Sequence, residues 1–129
     1  MSDSIKQVIV MRVKYPNGNG GTTGLRKGKL ISQACHASIS FLTRKWGGKL
    51  SKVEEAWVAG SFAKICLAVE TEEELIAVYQ QAKDKMLEVH MITDSGRTEF
   101  DGVPTKTCLA IGPDRSSKID AVTGKLKLL

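Results

Sequence analysis

Two periodicities alternate along the chain. Ile5 to Val13 (IKQVIVMRV) is apolar and β-branched, which predicts a buried strand. Tyr15 to Gly24 (YPNGNGGTTG) breaks the pattern with four glycines, a proline and two asparagines, and predicts a mobile loop with no core of its own. Helical spacing then runs from about Gly28 to Trp46, and Gly47-Gly48 supplies the expected C-cap. Ser51 to Gly60 predicts a short second helix with Val53, Ala56 and Trp57 on one face. Phe62 to Val69 reads as a second strand. Thr71 and Glu74 have capping-box spacing at the start of a third helix, whose buried stripe is Leu75, Tyr79, Ala82 and Met86. Val89 to Thr93 and Lys106 to Gly112 are a third and a fourth strand, joined by the polar segment Asp94 to Thr105. Pro113 is expected to stop the fourth strand, and a helical turn near Ser116 to Val122 precedes the tail LKLL. This order predicts an α/β fold: a single domain over residues 1–129, with a mixed four-stranded sheet and helices packed on both faces, three layers in all.

The first helix is the most informative element. In RKGKLISQACHAS, cations and glycine lead into a helix that carries Lys29, Gln33, His36 and Ser40 at steps of four, three and four, which puts them on one stripe. Ile31, Cys35, Ile39, Leu42 and Trp46 fall opposite and are expected to form the buried face. The polar stripe is then either solvated or aimed at a polar ligand.

Composition narrows the classes. The chain has 129 residues and 42% apolar content, enough for one core. No apolar run approaches the roughly 18 residues that span a bilayer, and MSDSIKQ lacks the pattern of a secretory signal. Cys35, Cys66 and Cys108 each sit in an apolar segment and read as buried free thiols in a reducing, cytoplasmic setting. Residues 1–49 carry nine Lys/Arg against one Asp, whereas residues 50–129 carry ten against thirteen Asp/Glu. A basic first third on a nearly neutral body points to a polyanionic partner, nucleic acid before membrane; the alternative is a basic surface kept for solubility.

Several enzyme signatures are missing: GxSxG, HExxH, Cys/His pairs at metal spacing, and a P-loop. What remains are polar residues at strand ends and loops. Asp94 ends the third strand, Arg97 and Thr98 follow it, and Thr107 starts the fourth. Ligands of open α/β sheets bind where strands end and helices begin, and Lys29 lies at a helix start that already favours anions. Each residue also has an ordinary reading: Asp94-Ser95-Gly96 as an Asx turn, Thr107 as a strand threonine, His36 as a helix-surface residue.

Taken together, the motifs resemble those of the type-2 peptidyl-tRNA hydrolases. The similarity lies in KGKLISQACHAS (Lys27 to Ser38), KICLAVETEEEL (Lys64 to Leu75), ITDSGRT (Ile92 to Thr98), CLAIGP (Cys108 to Pro113) and VTGKLKLL (Val122 to Leu129), in family order over nearly the whole chain. The resemblance implies a four-stranded mixed sheet between helices, no metal or cofactor, and cleavage of the ester joining a peptide to the terminal ribose of tRNA. It places the proposed catalytic residues on Lys29, Asp94, Thr98 and Thr107, and substrate contacts on Lys27, Gln33, His36 and Arg97. Asp94 would orient or deprotonate a water, Lys29 would balance its charge and steady the oxyanion, and the threonines would hold water or carbonyl. The partner implied is peptidyl-tRNA, read by backbone and shape since aromatic residues are only 5%; no membrane is implied, and a homodimer is compatible. The chain departs from the family where Lys14 to Arg26 replaces a short acidic-leucine-lysine link with the glycine-rich loop. That loop leaves a second reading, a non-catalytic RNA-binding or protein-interaction module on the same fold.

Overall fold

A computed structural model describes residues 3–97 and 100–129. A mixed sheet lies at the centre, with strand order β5-β6-β1-β4-β7. Its strands are β1 (Ile5–Arg12), β4 (Lys64–Val69), β5 (Val89–Asp94), β6 (Thr105–Arg115) and β7 (Lys127–Leu128); β2 (Tyr15–Pro16) and β3 (Thr22–Thr23) form a separate two-stranded ribbon. Only β1 and β4 run parallel; β6 is antiparallel to both β1 and β5. Helices α1 (Lys27–Arg44) and α2 (Lys52–Ala59) follow the ribbon, α3 (Glu72–Asp84) follows β4, and α4 (Ser116–Thr123) follows β6. One face of the sheet is covered by a cluster that includes Val8, Val10, Leu75, Val78, Leu109 and Ile119, and the other by Ile9, Met11, Ala37, Cys108 and Ala110. The α/β class and the helices on both faces agree with the sequence pattern.

Several details differ from it. The sheet has a fifth strand, because the tail LKLL pairs its Lys127 and Leu128 with Ala68 and Leu67; two paired residues are too few to show a period. Strand β6 continues through Pro113 to Arg115, since pairing with β1 resumes beyond it at Lys6–Asp114 and Ile5–Arg115. In α3 the buried residues are Leu75, Val78 and Ala82, whereas Met86 lies past the helix end and is 92% exposed. Ala56 of α2 is exposed too. Of the cysteines only Cys108 is buried, and Cys35 is exposed.

The largest difference is in α1, whose expected inner and outer faces are exchanged. Gln33, Ala37, Ser40 and Phe41 are the buried residues, whereas Ile31 is 63% exposed, Ile39 50% and Trp46 89%. Gln33 turns inward because the sheet gives it partners, Asp94 and Thr107, whereas His36 of the same stripe stays exposed. Gln7 on β1 completes the seating of α1: its Nε2 donates to the Ser38 carbonyl at 2.9 Å and its Oε1 accepts from Ser38 Oγ at 2.6 Å.

The C-terminal end of α1 is held to α2 by Glu54. Its carboxylate takes Lys45 Nζ at 2.7 Å, and the reciprocal capping box with Ser51 starts α2. Burial acts to raise the Glu54 pKa, but the Lys45 hydrogen bond and the Ser51 amide and hydroxyl outweigh it and hold the group below its ordinary value. A depressed folded pKa contributes stability above the unfolded value of about 4.3, and that contribution disappears as pH falls through the folded one. Glu54→Ala is therefore expected to lower stability by about 3 kcal/mol at pH 7 in urea titrations, with a difference that shrinks below pH of about 4. An equal difference at pH 7 and pH 3 would refute the assignment.

Candidate active site

Three donors, two from α1 and one from the turn after β5, converge on one carboxylate. Asp94 is the last residue of β5, and its side chain is only 10% exposed. Lys29, in the first turn of α1, donates from Nζ to Asp94 Oδ1 at 2.8 Å. Gln33, one helical turn further on, donates from Nε2 to the same oxygen at 3.3 Å. On the other oxygen, the Gly96 N–H donates to Oδ2 at 2.8 Å. This is an Asx turn, so the local reading of Asp94-Ser95-Gly96 and its place at the cleft hold together. Gly96 has φ +85°, and a Cβ there would collide with the Val103 backbone, so only glycine fits.

The network extends one residue deeper. Thr107 of β6 is wholly buried, and its Oγ1 donates to Gln33 Oε1 at 2.5 Å. The Cys108 thiol donates to the Gln33 carbonyl at 3.3 Å. A hydroxyl that must donate to Oε1 fixes the Gln33 amide, leaving its NH₂ for Asp94. The result is a directed chain, Thr107 to Gln33 to Asp94, with Lys29 closing it from the side.

This arrangement sets the charge state of Asp94. The Lys29 hydrogen bond is the largest influence and lowers the carboxyl pKa; burial opposes it, while the Gly96 N–H and a smaller contribution from His36 reinforce it. Asp94 is thus a carboxylate whose Oδ1 takes two donors and whose Oδ2 takes one, on the wall of a cleft.

That cleft, about 680 Å³, lies between α1 and β5 and is lined by Gln33, His36, Ser40, Arg44, Asp94 and Ser95 among others. His36 is exposed at its rim, not packed into the helix surface. Lys27 is exposed at the first position of α1, where no side chain caps the helix and no acidic residue occupies the first turn. Arg97 is exposed in the turn after Gly96. Thr98 lies outside the described residues. Among the described residues no group of three or more His, Cys, Asp and Glu side chains is placed to hold a metal ion, and no helix is long and apolar enough to cross a membrane.

Two groups at the site were not singled out by sequence reasoning. The Gly96 amide was hidden because a backbone donor has no side-chain signature. Tyr15 was assigned to a loop without a core, yet it is buried. Its hydroxyl donates to the Arg12 carbonyl at 3.1 Å and lies 3.5 Å from the Thr107 carbonyl. Its ring lies 5.1 Å from that of Phe100, and the Arg12 guanidinium sits 4.3 Å above it.

Comparison with known proteins adds independent information. The family model described as peptidyl-tRNA hydrolase PTH2 matches residues 5–129. A peptidyl-tRNA hydrolase of Methanopyrus kandleri is 41% identical, with 96% of this chain and 97% of that protein aligned. One of Methanothermobacter thermautotrophicus is 37% identical over 97% of this chain and all of its own length. A probable peptidyl-tRNA hydrolase 2 of Drosophila melanogaster is 34% identical over the whole of this chain and 64% of its own. Among solved structures, a protein of unknown function from Agrobacterium tumefaciens has the same fold, with a TM-score of 0.58 at 12% identity over 100% of this chain and 99% of that one. With a family model spanning all but the first four residues and relatives aligned end to end, the chain belongs to the type-2 peptidyl-tRNA hydrolases.

Proposed function

We propose that this chain hydrolyses the ester between peptide and tRNA in peptidyl-tRNA, with Asp94 as the group that holds the attacking water. The observation that carries the reading is the Lys29–Asp94 pair at the mouth of an open cleft, fixed from behind by Gln33 and Thr107. A carboxylate with a lowered pKa is a weak base but a strong acceptor. Its role is to orient a water and to share the positive charge that develops as the water attacks the ester carbonyl. Lys29 keeps Asp94 ionised and lies near enough to steady the oxyanion. The water oxygen bonds to the acyl carbon as the bond to the ribose oxygen breaks. The ribose oxygen takes the proton lost by the water and leaves as a hydroxyl, and the peptide leaves as its carboxylic acid.

Thr107 has a different part. Fully buried and already donating to Gln33, it acts through that amide and not on the carbonyl or the water itself. It is a positioning residue that orients the Gln33 amide. Lys27 at the start of α1 and Arg97 in the turn after Asp94, both exposed, are suited to tRNA phosphates. The reaction belongs in the cytoplasm, where translation supplies the substrate.

Turnover of a defined peptidyl-tRNA by Asp94→Asn is expected to fall by about 10² to 10³ in kcat. Near-parental turnover would remove this scheme. Salt-dependent tRNA binding without peptide release by the parent protein would favour the RNA-binding module instead. Asp94 must be ionised to act, so activity is present above its pKa and lost below it. In the parent the acid limb of kcat/KM is expected below the ordinary aspartate value of about 3.9. In Lys29→Ala that limb moves to higher pH, because the largest influence lowering the pKa is gone. An unmoved limb means that Lys29 does not govern Asp94.

Thr107→Val is expected to lower kcat by about tenfold with KM nearly unchanged, since a Gln33 amide free to flip can present its oxygen to Asp94. Thr107→Ser should restore the rate. Equal loss in both would indicate a packing defect rather than lost orientation.

A further inference from the structure

A second cleft, of about 800 Å³, lies between the β2–β3 ribbon and the loop 100–105. The two clefts are neighbours across the pairing of β5 with β6: Asp94 lines the first, and its cross-strand partner Thr105 lines the second. One wall is the glycine-rich insertion through Asn17 and Thr22; the opposite wall is Phe100 and Asp101. The floor is Arg12, buried, with its guanidinium on the Tyr15 ring and its Nε and Nη1 donating to the Lys14 and Lys106 carbonyls.

Resting on the reading of Asp94 as the reaction centre, we infer that this second cleft receives the peptide half of the substrate and favours peptides with a positive charge near their amino end. The scissile ester joins a polyanion to a peptide, so the two halves must leave the centre in different directions. The described side chains sort the directions by charge. Around the first cleft stand Arg44 and His36, with Lys27 beyond them at the start of α1, and its carboxylate Asp94 is already paired with Lys29. At the second cleft the described carboxylates are Glu72 and Asp101, and the cation Arg12 is turned onto backbone carbonyls. With two carboxylates to one guanidinium, the second cleft is the less favourable of the two for a ribose-phosphate chain. A peptide is uncharged along its backbone and, where its amino group is free, carries a cation at its end. The second cleft has the depth for a few residues, and its walls offer the Phe100 ring and the Thr22 and Thr105 hydroxyls.

The test uses the intact chain and two tripeptidyl-tRNAs that share the tRNA and the esterified residue but differ in the first two residues, both lysine or both glutamate. The parent protein is expected to favour the lysine substrate about fivefold in kcat/KM, and Glu72→Gln/Asp101→Asn to bring the ratio close to one. Asparagine tolerates the left-handed φ of +49° at Asp101, and glutamine keeps the helix start at Glu72. Hydrolysis of both substrates at equal rates by parent and variant would overturn the inference while leaving the hydrolase reading intact. Absence of hydrolysis by the parent would sink that reading instead. A change in affinity for deacylated tRNA as large as the change in the peptide ratio would assign the cleft to the terminal nucleotide and also overturn the inference.

Discussion

A carboxylate nearly withdrawn from water at the end of a strand is the constraint around which this molecule is arranged. Desolvating an unpaired carboxylate costs several kcal/mol. Asp94 is tolerated because Lys29 and Gln33 reach one oxygen and the Gly96 amide the other. These groups are contributed by α1, by the turn after β5 and, through Thr107, by β6. No short stretch of sequence could assemble them. They meet because β6 returns between β1 and β5, and because α1 crosses the face of the sheet with Gln33 inward. Topology and electrostatics are therefore the same problem here: seating α1 correctly and compensating Asp94 require the same contacts.

That also explains which parts of the structure could be read from the sequence. Strands and helices were legible where the apolar period was long, as in Ile5–Arg12 and in α3 behind Thr71, whose hydroxyl does accept the Glu74 amide. The face of α1 was not. Period reasoning assigns apolar residues inward, and Ile31, Cys35, Ile39, Leu42 and Trp46 outnumber what the other side offers. The line Gln33, Ala37, Phe41 was the available sign, two small or apolar residues spaced one turn apart beside a glutamine. It was outweighed because a buried glutamine is favourable only if both ends of its amide find partners. Those partners, Thr107 and Asp94, lie more than sixty residues away. Lys29, Gln33, Asp94 and Thr107 were each legible as candidates, and the hydrogen bonds that join them were not.

Charge behaves in a similar way. The basic first third, read as a block, suggests one cationic surface. In the folded chain much of that charge is met locally by carboxylates from later segments: Lys6 by Asp120, Lys14 by Glu70, Lys29 by Asp94, Lys45 by Glu54 and Glu88. Of the rest of that first third, Lys27 stands exposed at the start of α1 and Arg44 lines the first cleft. This is why net charge supports a nucleic-acid partner but cannot place it, and why the second cleft can carry carboxylates in a protein with a net charge of +5.

The glycine-rich insertion shows how such a centre can be varied without being disturbed. Lengthening a connection costs little, since closure entropy grows only logarithmically with length. The ribbon's tip between β2 and β3 has glycines at positive φ, Gly18 and Gly20, with open space around each. Its base is different. Tyr15 is buried, tied by its hydroxyl to the Arg12 carbonyl and in contact with Phe100 of the loop that follows Asp94. A free tip on a fixed base can change in length and sequence while β1, β6 and the Asp94 turn keep their places. Specificity of the adjoining cleft is then free to change on a scaffold whose chemistry is held by hydrogen bonds among Lys29, Gln33, Asp94, Gly96 and Thr107, away from the ribbon's tip.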